Sequence, residues 1–99
     1  MIRLIVGLGN PGSNHEADRH NAGFWFIDRL AAQHKQFLQT EKRFNGRVAK
    51  IQIEGQDIFL LEPDTFMNLS GESVGPLCRF HKIKPNEVLV AHDELDLKA

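Results

Sequence analysis

The sequence has little of several features that would assign it to a specialised class of protein. Its 99 residues contain a single cysteine, Cys78, which excludes an internal disulfide and a metal site built from several thiolates, and which is typical of a reducing compartment. No apolar run approaches the roughly 18 residues that a membrane-spanning helix needs. The first residues lack the basic region and cleavage site of a signal peptide, so we expect a cytoplasmic protein.

Net charge is also small, because 12 Lys and Arg residues oppose 13 Asp and Glu residues. An apolar content of 41% and a charged content of 25% are typical of one globular domain rather than a disordered chain. The charge is uneven: residues 1–50 carry 8 basic and 4 acidic side chains, and residues 51–99 carry 4 and 9. A mildly basic first half is compatible with an anionic partner, although such a distribution is more often a solvated face.

Strands and helices alternate along the chain, which predicts an α/β fold with a twisted, mixed and partly parallel sheet and helices on both faces. Apolar runs bounded by turn residues predict four strands at 2–6, 46–53, 57–61 and 87–92. Helical spacing predicts helices from 22 to about 34 and from about 70 to 81. Two helices over four strands give thin cover, so we expect the chain to be the N-terminal part of one larger domain, incomplete at its C-terminal end.

Several local predictions accompany this fold. Asn21 is a candidate cap for the first helix, whose buried face should include Phe26 and Ile27. Glu54-Gly55-Gln56 predicts a hairpin between the second and third strands. Pro76 is awkward inside the second helix and predicts a late start or a kink. Segments 7–20 and 62–69 are expected to be loops, and Trp25 and most of the phenylalanines are expected in the core.

Polar side chains follow the predicted strand ends, which meet at one edge if those strands run parallel. Ligands of open α/β sheets bind in the crevice outside that edge. The first, third and last strands are followed by Asn10, Asn68 and Asp93, and the long loop that ends at His20 also begins there. A neutral histidine removes a proton from water, a carboxylate fixes its tautomer, and carboxamides donate to a developing oxyanion. With no Ser or Cys paired to the histidine, this set favours direct attack by water.

Each of these residues also has an ordinary structural explanation. Asn10 precedes Pro-Gly and is a common turn residue, and Asn68 is a possible helix cap. His20 is compatible with a helix-entry turn, and Asp93 with a cap for a following turn. Phe66 lies in the loop after the third strand, where an aromatic ring stacks on a base or ribose, or packs in the core. Only their joint location favours a catalytic site.

Two other kinds of site compete with this interpretation. Gly7, Gly9 and Gly12 match the dinucleotide-binding fingerprint, but a proline lies inside the turn and the predicted helix begins about ten residues later than that motif requires. His15 and His20, together with the polar residues at 92–96, are candidate metal ligands without a recognised spacing. We therefore expect no cofactor and no metal.

Four motifs, in order and suitably spaced, closely resemble those of bacterial peptidyl-tRNA hydrolases. They are LIVGLGNPG at 4–12, RHNAGFW at 19–25, TFMNLSG at 65–71 and AHDELDL at 91–97. The resemblance implies a monomeric, metal-independent cytosolic esterase that cleaves the ester between a peptide and the 3′-terminal ribose of tRNA, and so recycles prematurely released peptidyl-tRNA.

The resemblance also implies roles for individual residues. His20 matches the catalytic base, Asp93 the carboxylate that orients it, and Asn10 the asparagine that helps to distinguish N-blocked from free aminoacyl-tRNA. Asn68 matches a substrate-binding asparagine, and Phe66 a residue that lines the same site. An alternative is a non-catalytic remnant or tRNA-binding module of the same fold.

Two departures from the family pattern affect these expectations. His15 stands where the family usually has a tyrosine, so a substrate contact at that position is retained by the imidazole, altered or lost. The family also continues beyond the last motif with a lid loop, a further site asparagine and a basic C-terminal helix. Several of those parts contact the tRNA acceptor stem, so we expect weaker tRNA binding from this chain. We also expect lower stability, because the sheet loses neighbours and cover.

Overall fold

A computed structural model of the chain describes residues 1–9, 22–65 and 69–92. These residues form five strands, two α-helices and two short 3₁₀ turns, at 42–44 and 85–87. The strands are β1 (Leu4–Gly7), β2 (Gln39–Glu41), β3 (Gly46–Ile53), β4 (Gln56–Pro63) and β5 (Val88–Ala91). The helices are α1 (Ala22–Gln33) and α2 (Gly71–His81).

The five strands form one mixed sheet in the order β2-β3-β4-β1-β5. β1 lies between β4 and β5 and is parallel to both, whereas β2, β3 and β4 are joined by antiparallel pairing. A strand with neighbours on both sides and helices on both faces is expected to be continuously apolar. β1 has this character, since all four of its residues are buried.

The two helices cover opposite faces of the sheet, as predicted. Ile27 and Ala31 of α1 pack with Ile5 and Leu60, whereas Leu77 of α2 packs on the other face. Successive strand residues point to opposite faces, so Ile5 contacts the α1 cluster and its two neighbours, Leu4 and Val6, contact the α2 cluster. None of the helices in the described part of the chain is long and apolar enough to cross a membrane.

The predicted hairpin between β3 and β4 is confirmed. Its turn is one residue shorter than predicted, because Gln56 already belongs to β4. The two turn residues, Glu54 and Gly55, have positive φ, at 52° and 81°, as two-residue turns between twisted strands require. β4 is longer than predicted, however. It continues through Glu62 to Pro63, because Arg47 and Gly46 of β3 still pair with those residues, so the loop expected from residue 62 begins later.

α2 runs through Pro76 without the predicted late start. A proline in a helix lacks the N–H that would bond to the carbonyl four residues earlier, and this normally makes the position costly. Here that carbonyl belongs to Glu72, and it accepts a hydrogen bond of 3.0 Å from the Asn45 side-chain nitrogen Nδ2. The unpaired acceptor is therefore satisfied from outside the helix.

Other sequence-based predictions were wrong. The polar strand β2 was not predicted, because only its pairing with β3 makes it a strand. Phe26 is 45% exposed, since Gly23, Ile27 and Ala31 define the buried stripe of α1. Among the aromatic residues expected in the core, Trp25, Phe37 and Phe80 are also exposed. The strand at the start of the chain begins at 4 rather than 2, and the last strand spans 88–91 rather than 87–92.

Candidate active site

The carboxyl ends of three strands meet at one edge of the sheet, as the sequence predicts. Val6 of β1 pairs with Leu61 of β4 on one side and with Val90 of β5 on the other. The pairing of β1 with β5 continues beyond the end of β1, because the backbone N–H of Leu8 donates a hydrogen bond of 2.9 Å to the carbonyl oxygen of Ala91. The segments that follow β1, β4 and β5 therefore leave the sheet side by side.

Each of the six predicted site residues lies outside the described residues, in the segments that adjoin this edge. They are Asn10, His15, His20, Phe66, Asn68 and Asp93. Asn21, the candidate helix cap, also lies outside, as do the candidate metal ligands apart from His92. The described residues that flank these segments are Gly9, Ala22, Thr65, Leu69 and His92.

The first turn of α1 is packed directly against the strand ends. A Cβ atom on Gly23 would lie 2.5 Å from both the carbonyl oxygen of Ala91 and the backbone nitrogen of Leu8. A Cβ atom on Gly9 would lie 2.8 Å from the ring of Phe24. Only glycine permits approaches this close. The glycines that resemble a dinucleotide fingerprint are therefore explained in part by contact with α1.

A buried acidic side chain lies beside this edge. Glu62, the penultimate residue of β4, has a fully buried side chain, and its Oε1 atom accepts a short hydrogen bond from Nη2 of Arg47. The two residues are directly opposite each other in the β3–β4 register. The guanidinium of Arg47 also lies 5.6 Å from the ring centroid of Phe24. This cluster connects β3, β4 and the first turn of α1.

The Glu62 carboxyl is electrostatically unusual. Burial, followed by the neighbouring side chain of Asp28 in α1, raises the pKa of Glu62 to about 9, against the opposing effect of Arg47. Its second oxygen, Oε2, is buried without a hydrogen-bond partner. A neutral acid suits this environment better than an anion does, because burial disfavours the charged form more than Arg47 favours it.

Asn45 connects the exit of β4 with the start of α2. Its carbonyl oxygen accepts a hydrogen bond of 2.7 Å from the backbone N–H of Asp64, and its side chain donates to Glu72. Asn45 has a left-handed backbone with φ of 50°, a conformation that asparagine tolerates better than most residues. The segment between Asp64 and Glu72 is therefore held at both flanks by one residue.

Arg47, Glu62 and Asn45 were not predicted from the sequence. The predicted turn at 54–56 would place Arg47 opposite Pro63, whereas the two-residue turn in the structure places it opposite Glu62, a residue expected in a loop. Asn45 carries no local signal, because its contact depends on tertiary packing. Two open grooves of about 560 and 550 Å³ beside Phe37 include no residue of the three strand ends, so we do not associate them with the site.

Comparison with known proteins identifies the family. The model of the family described as peptidyl-tRNA hydrolase matches residues 4–99. The chain belongs to the peptidyl-tRNA hydrolase family. A peptidyl-tRNA hydrolase from Polynucleobacter asymbioticus is 66% identical over 98 residues, which are 99% of this chain and 50% of that protein. One from Variovorax paradoxus is 61% identical over 97 residues, which are 98% of this chain and 46% of that protein.

A solved structure supports the same assignment. The crystal structure of peptidyl-tRNA hydrolase from Acinetobacter baumannii matches with a TM-score of 0.85 and 49% sequence identity. The match covers 92% of this chain and 46% of that one. The mixed sheet with helices on both faces is therefore a peptidyl-tRNA hydrolase fold. The chain spans about half the length of the curated relatives it matches.

Proposed function

We propose that this chain hydrolyses the ester bond between a peptide and tRNA, and that it is the N-terminal part of a single peptidyl-tRNA hydrolase domain. Membership of the family supports the reaction class. The single observation that carries the assignment to particular residues is the common edge of β1, β4 and β5. All six predicted site residues belong to segments that adjoin this edge.

The proposed chemistry begins with a water molecule and a neutral imidazole. His20 removes a proton from the water, which attacks the ester carbonyl and forms a tetrahedral intermediate. Asp93 orients the imidazole and stabilises the imidazolium that forms. Collapse of the intermediate breaks the bond to the ribose oxygen, which takes the proton back from His20. The reaction needs neither a cofactor nor a metal.

The remaining residues bind the substrate. Asn10 selects substrates with a blocked amino group, and Asn68 positions the ester or peptide backbone by donating hydrogen bonds. Phe66 and His15 contact the 3′-terminal end of the tRNA. The protein acts as a cytoplasmic monomer, and its partner is the acceptor end of peptidyl-tRNA.

The test is the release of N-acetyl-aminoacyl groups from tRNA, measured beside unblocked aminoacyl-tRNA. We expect selective cleavage of the blocked ester, and a loss of about 10²-fold to 10⁴-fold in rate for His20→Ala. His34→Ala is the matched control, since His34 lies just beyond the opposite end of α1, where its ring contacts the Leu30 carbonyl. Treatment with EDTA should leave the rate unchanged.

Two outcomes would contradict the proposal. Equal rates for the wild type and His20→Ala would show that His20 is not the base. Salt-dependent tRNA binding without turnover would favour the alternative, a non-catalytic remnant or tRNA-binding module of the same fold.

A further inference from the structure

We propose that Asn45 is a positioning residue for the substrate-binding segment that connects β4 with α2. The functional part of this inference rests on the proposed function, because Phe66 and Asn68 lie between Asp64 and Glu72 in the sequence. Asn45 acts by fixing the two flanks of the segment relative to each other.

The first support is that Asn45 makes two different bonds to the two flanks. Its backbone carbonyl accepts from the N–H of Asp64 at 2.7 Å, and its side-chain Nδ2 donates to the carbonyl of Glu72 at 3.0 Å. The first bond depends only on the backbone. A side-chain substitution therefore removes the contact with Glu72 and leaves the contact with Asp64.

The second support is that the acceptor in α2 is made available by the sequence. Pro76 has no N–H to donate to the carbonyl of Glu72, so this carbonyl would otherwise lack its partner within the helix. Because Asn45 donates the hydrogen bond that Pro76 cannot, the start of α2 depends on a residue from the β2–β3 connection. Any residue other than proline at position 76 would donate its own N–H to this carbonyl within the helix.

The third support is that the residues beside Asn45 are themselves fixed against α2. Phe44 is buried, and its ring centroid lies 5.7 Å from that of Phe80. On the other side, a Cβ atom on Gly46 would lie 3.0 Å from Oγ of Ser73. Asn45 is therefore held between two close contacts with the helix, and its side chain has a defined place from which to donate.

Three variants test whether Asn45 positions the segment or only supplies a hydrogen-bond donor to the Glu72 carbonyl. Asn45→Gly keeps the left-handed backbone and removes the donor. Pro76→Ala supplies an N–H within α2 for the same carbonyl, and the double variant combines the two changes. Lys35→Gly is the matched control, because Lys35 also has a left-handed backbone, with φ of 58°, beyond the end of α1.

Two readouts are measured on the 99-residue chain. Backbone amide signals of residues 64–72 report the segment directly by NMR. The affinity for an N-acetylaminoacyl-adenosine in which an amide replaces the ester reports its function. We expect Asn45→Gly to lower the melting temperature, move the amide signals and weaken probe binding by about fivefold to tenfold, as the loss of one hydrogen bond predicts.

The double variant decides between the two roles. We expect Pro76→Ala to restore the melting temperature of Asn45→Gly, but not its amide signals or its probe affinity. Restoration of all three would mean that Asn45 only satisfies a helix carbonyl, and would overturn the inference. Unchanged amide signals and affinity in Asn45→Gly would overturn it as well.

The experiment also separates this inference from the proposed function. If the wild type does not bind the probe, the proposed function fails for this chain, and the amide signals still decide whether Asn45 positions the segment. If Asn45→Gly alone does not fold, the same comparison is made between Pro76→Ala and the double variant, since both retain a satisfied Glu72 carbonyl.

Discussion

The two faces of the sheet hold their helices by different means. On the α1 face, backbone meets backbone: Gly23 fits between the ends of β1 and β5 with no room for a Cβ atom. On the α2 face, contact is made by side chains, with Leu77 fully buried and Asn45 donating to the helix from outside. The position of α1 is therefore fixed by steric exclusion, whereas that of α2 depends on separate hydrogen bonds and packed side chains.

The faces also differ in the titratable group that each contains. The α1 face buries the acid Glu62. The α2 face contains His81, whose ring stacks on Phe59 with centroids 4.0 Å apart. Burial, and then the nearby cations Arg43 and Arg3, lower the pKa of His81. Both groups favour their neutral forms. Glu62 is therefore expected to reduce stability as the pH rises, and His81 as the pH falls.

The largest expected effect is that of a single methyl group on the α1 face. Gly23→Ala should lower the free energy of unfolding by about 3 kcal/mol or more, because the new Cβ atom meets immobile backbone. Chemical denaturation measures the change. The matched control is Gly75→Ala in α2, where the nearest atom is the flexible Arg79 Nη1 at 3.2 Å. This control should be neutral or stabilise by about 0.5–1 kcal/mol. Similar losses in both variants would remove the distinction between the faces.

The next effect concerns the acid on the α1 face. Because folding raises the pKa of Glu62 from 4.5 to about 9, its stabilising contribution is complete below about pH 4.5 and is lost as the pH rises towards 9. Glu62→Gln imitates the neutral acid and should flatten the stability curve over this range.

Glu54→Gln on the same hairpin is the control for Glu62→Gln, since Glu54 is exposed in the turn. Thermal unfolding at several pH values measures the curves. Parallel curves for the wild type and Glu62→Gln would show that Glu62 is ionised in the folded protein, as a simple ion pair with Arg47 would require.

The smallest effect is expected on the α2 face. Folding lowers the pKa of His81 from 6.5, so protonation opposes folding, and stability falls as the pH drops through and below about 6.5. His81→Phe keeps a ring against Phe59 and removes the titration. The stability of the variant relative to the wild type should therefore rise as the pH falls from 7 to 5, as measured by thermal unfolding of both proteins. A difference between the two that stays constant over this range would contradict the lowered pKa.

Local sequence signals predicted the parts of the fold that local interactions determine. The glycine-containing turn at 54–56 predicted the hairpin, with one residue too many in the turn, and the apolar runs predicted strand ends that meet at one edge. The exposed polar strand β2 escaped notice because its conformation depends on β3. The buried stripe of α1 was partly misassigned, since glycine and alanine define it more than Phe26 does. In α1, the small residues indicate the buried face better than the aromatic residues do.

The same division applies to the candidate site. The edge was predictable because the ends of parallel strands coincide in any such sheet. The pairing of Arg47 with Glu62 was not, because the predicted turn at 54–56 is one residue longer than the observed turn and implies a different register. The contact between Asn45 and Glu72 was not predictable either, because it needs a left-handed backbone at one position and a helical proline at another, in elements about 30 residues apart. The assignments of His20 and Asp93 remain predictions.

The central place of β1 has a consequence for synthesis on the ribosome. Leu4 emerges early, but its partners in the sheet are Phe59 and Val88. At about 5–20 residues per second, an apolar strand waits several seconds for each neighbour. The β3–β4 hairpin is complete before β5 exists and offers β1 its first partner. Translation speed between residues 63 and 91 therefore sets how long one side of β1 stays open to chaperones or to other nascent chains.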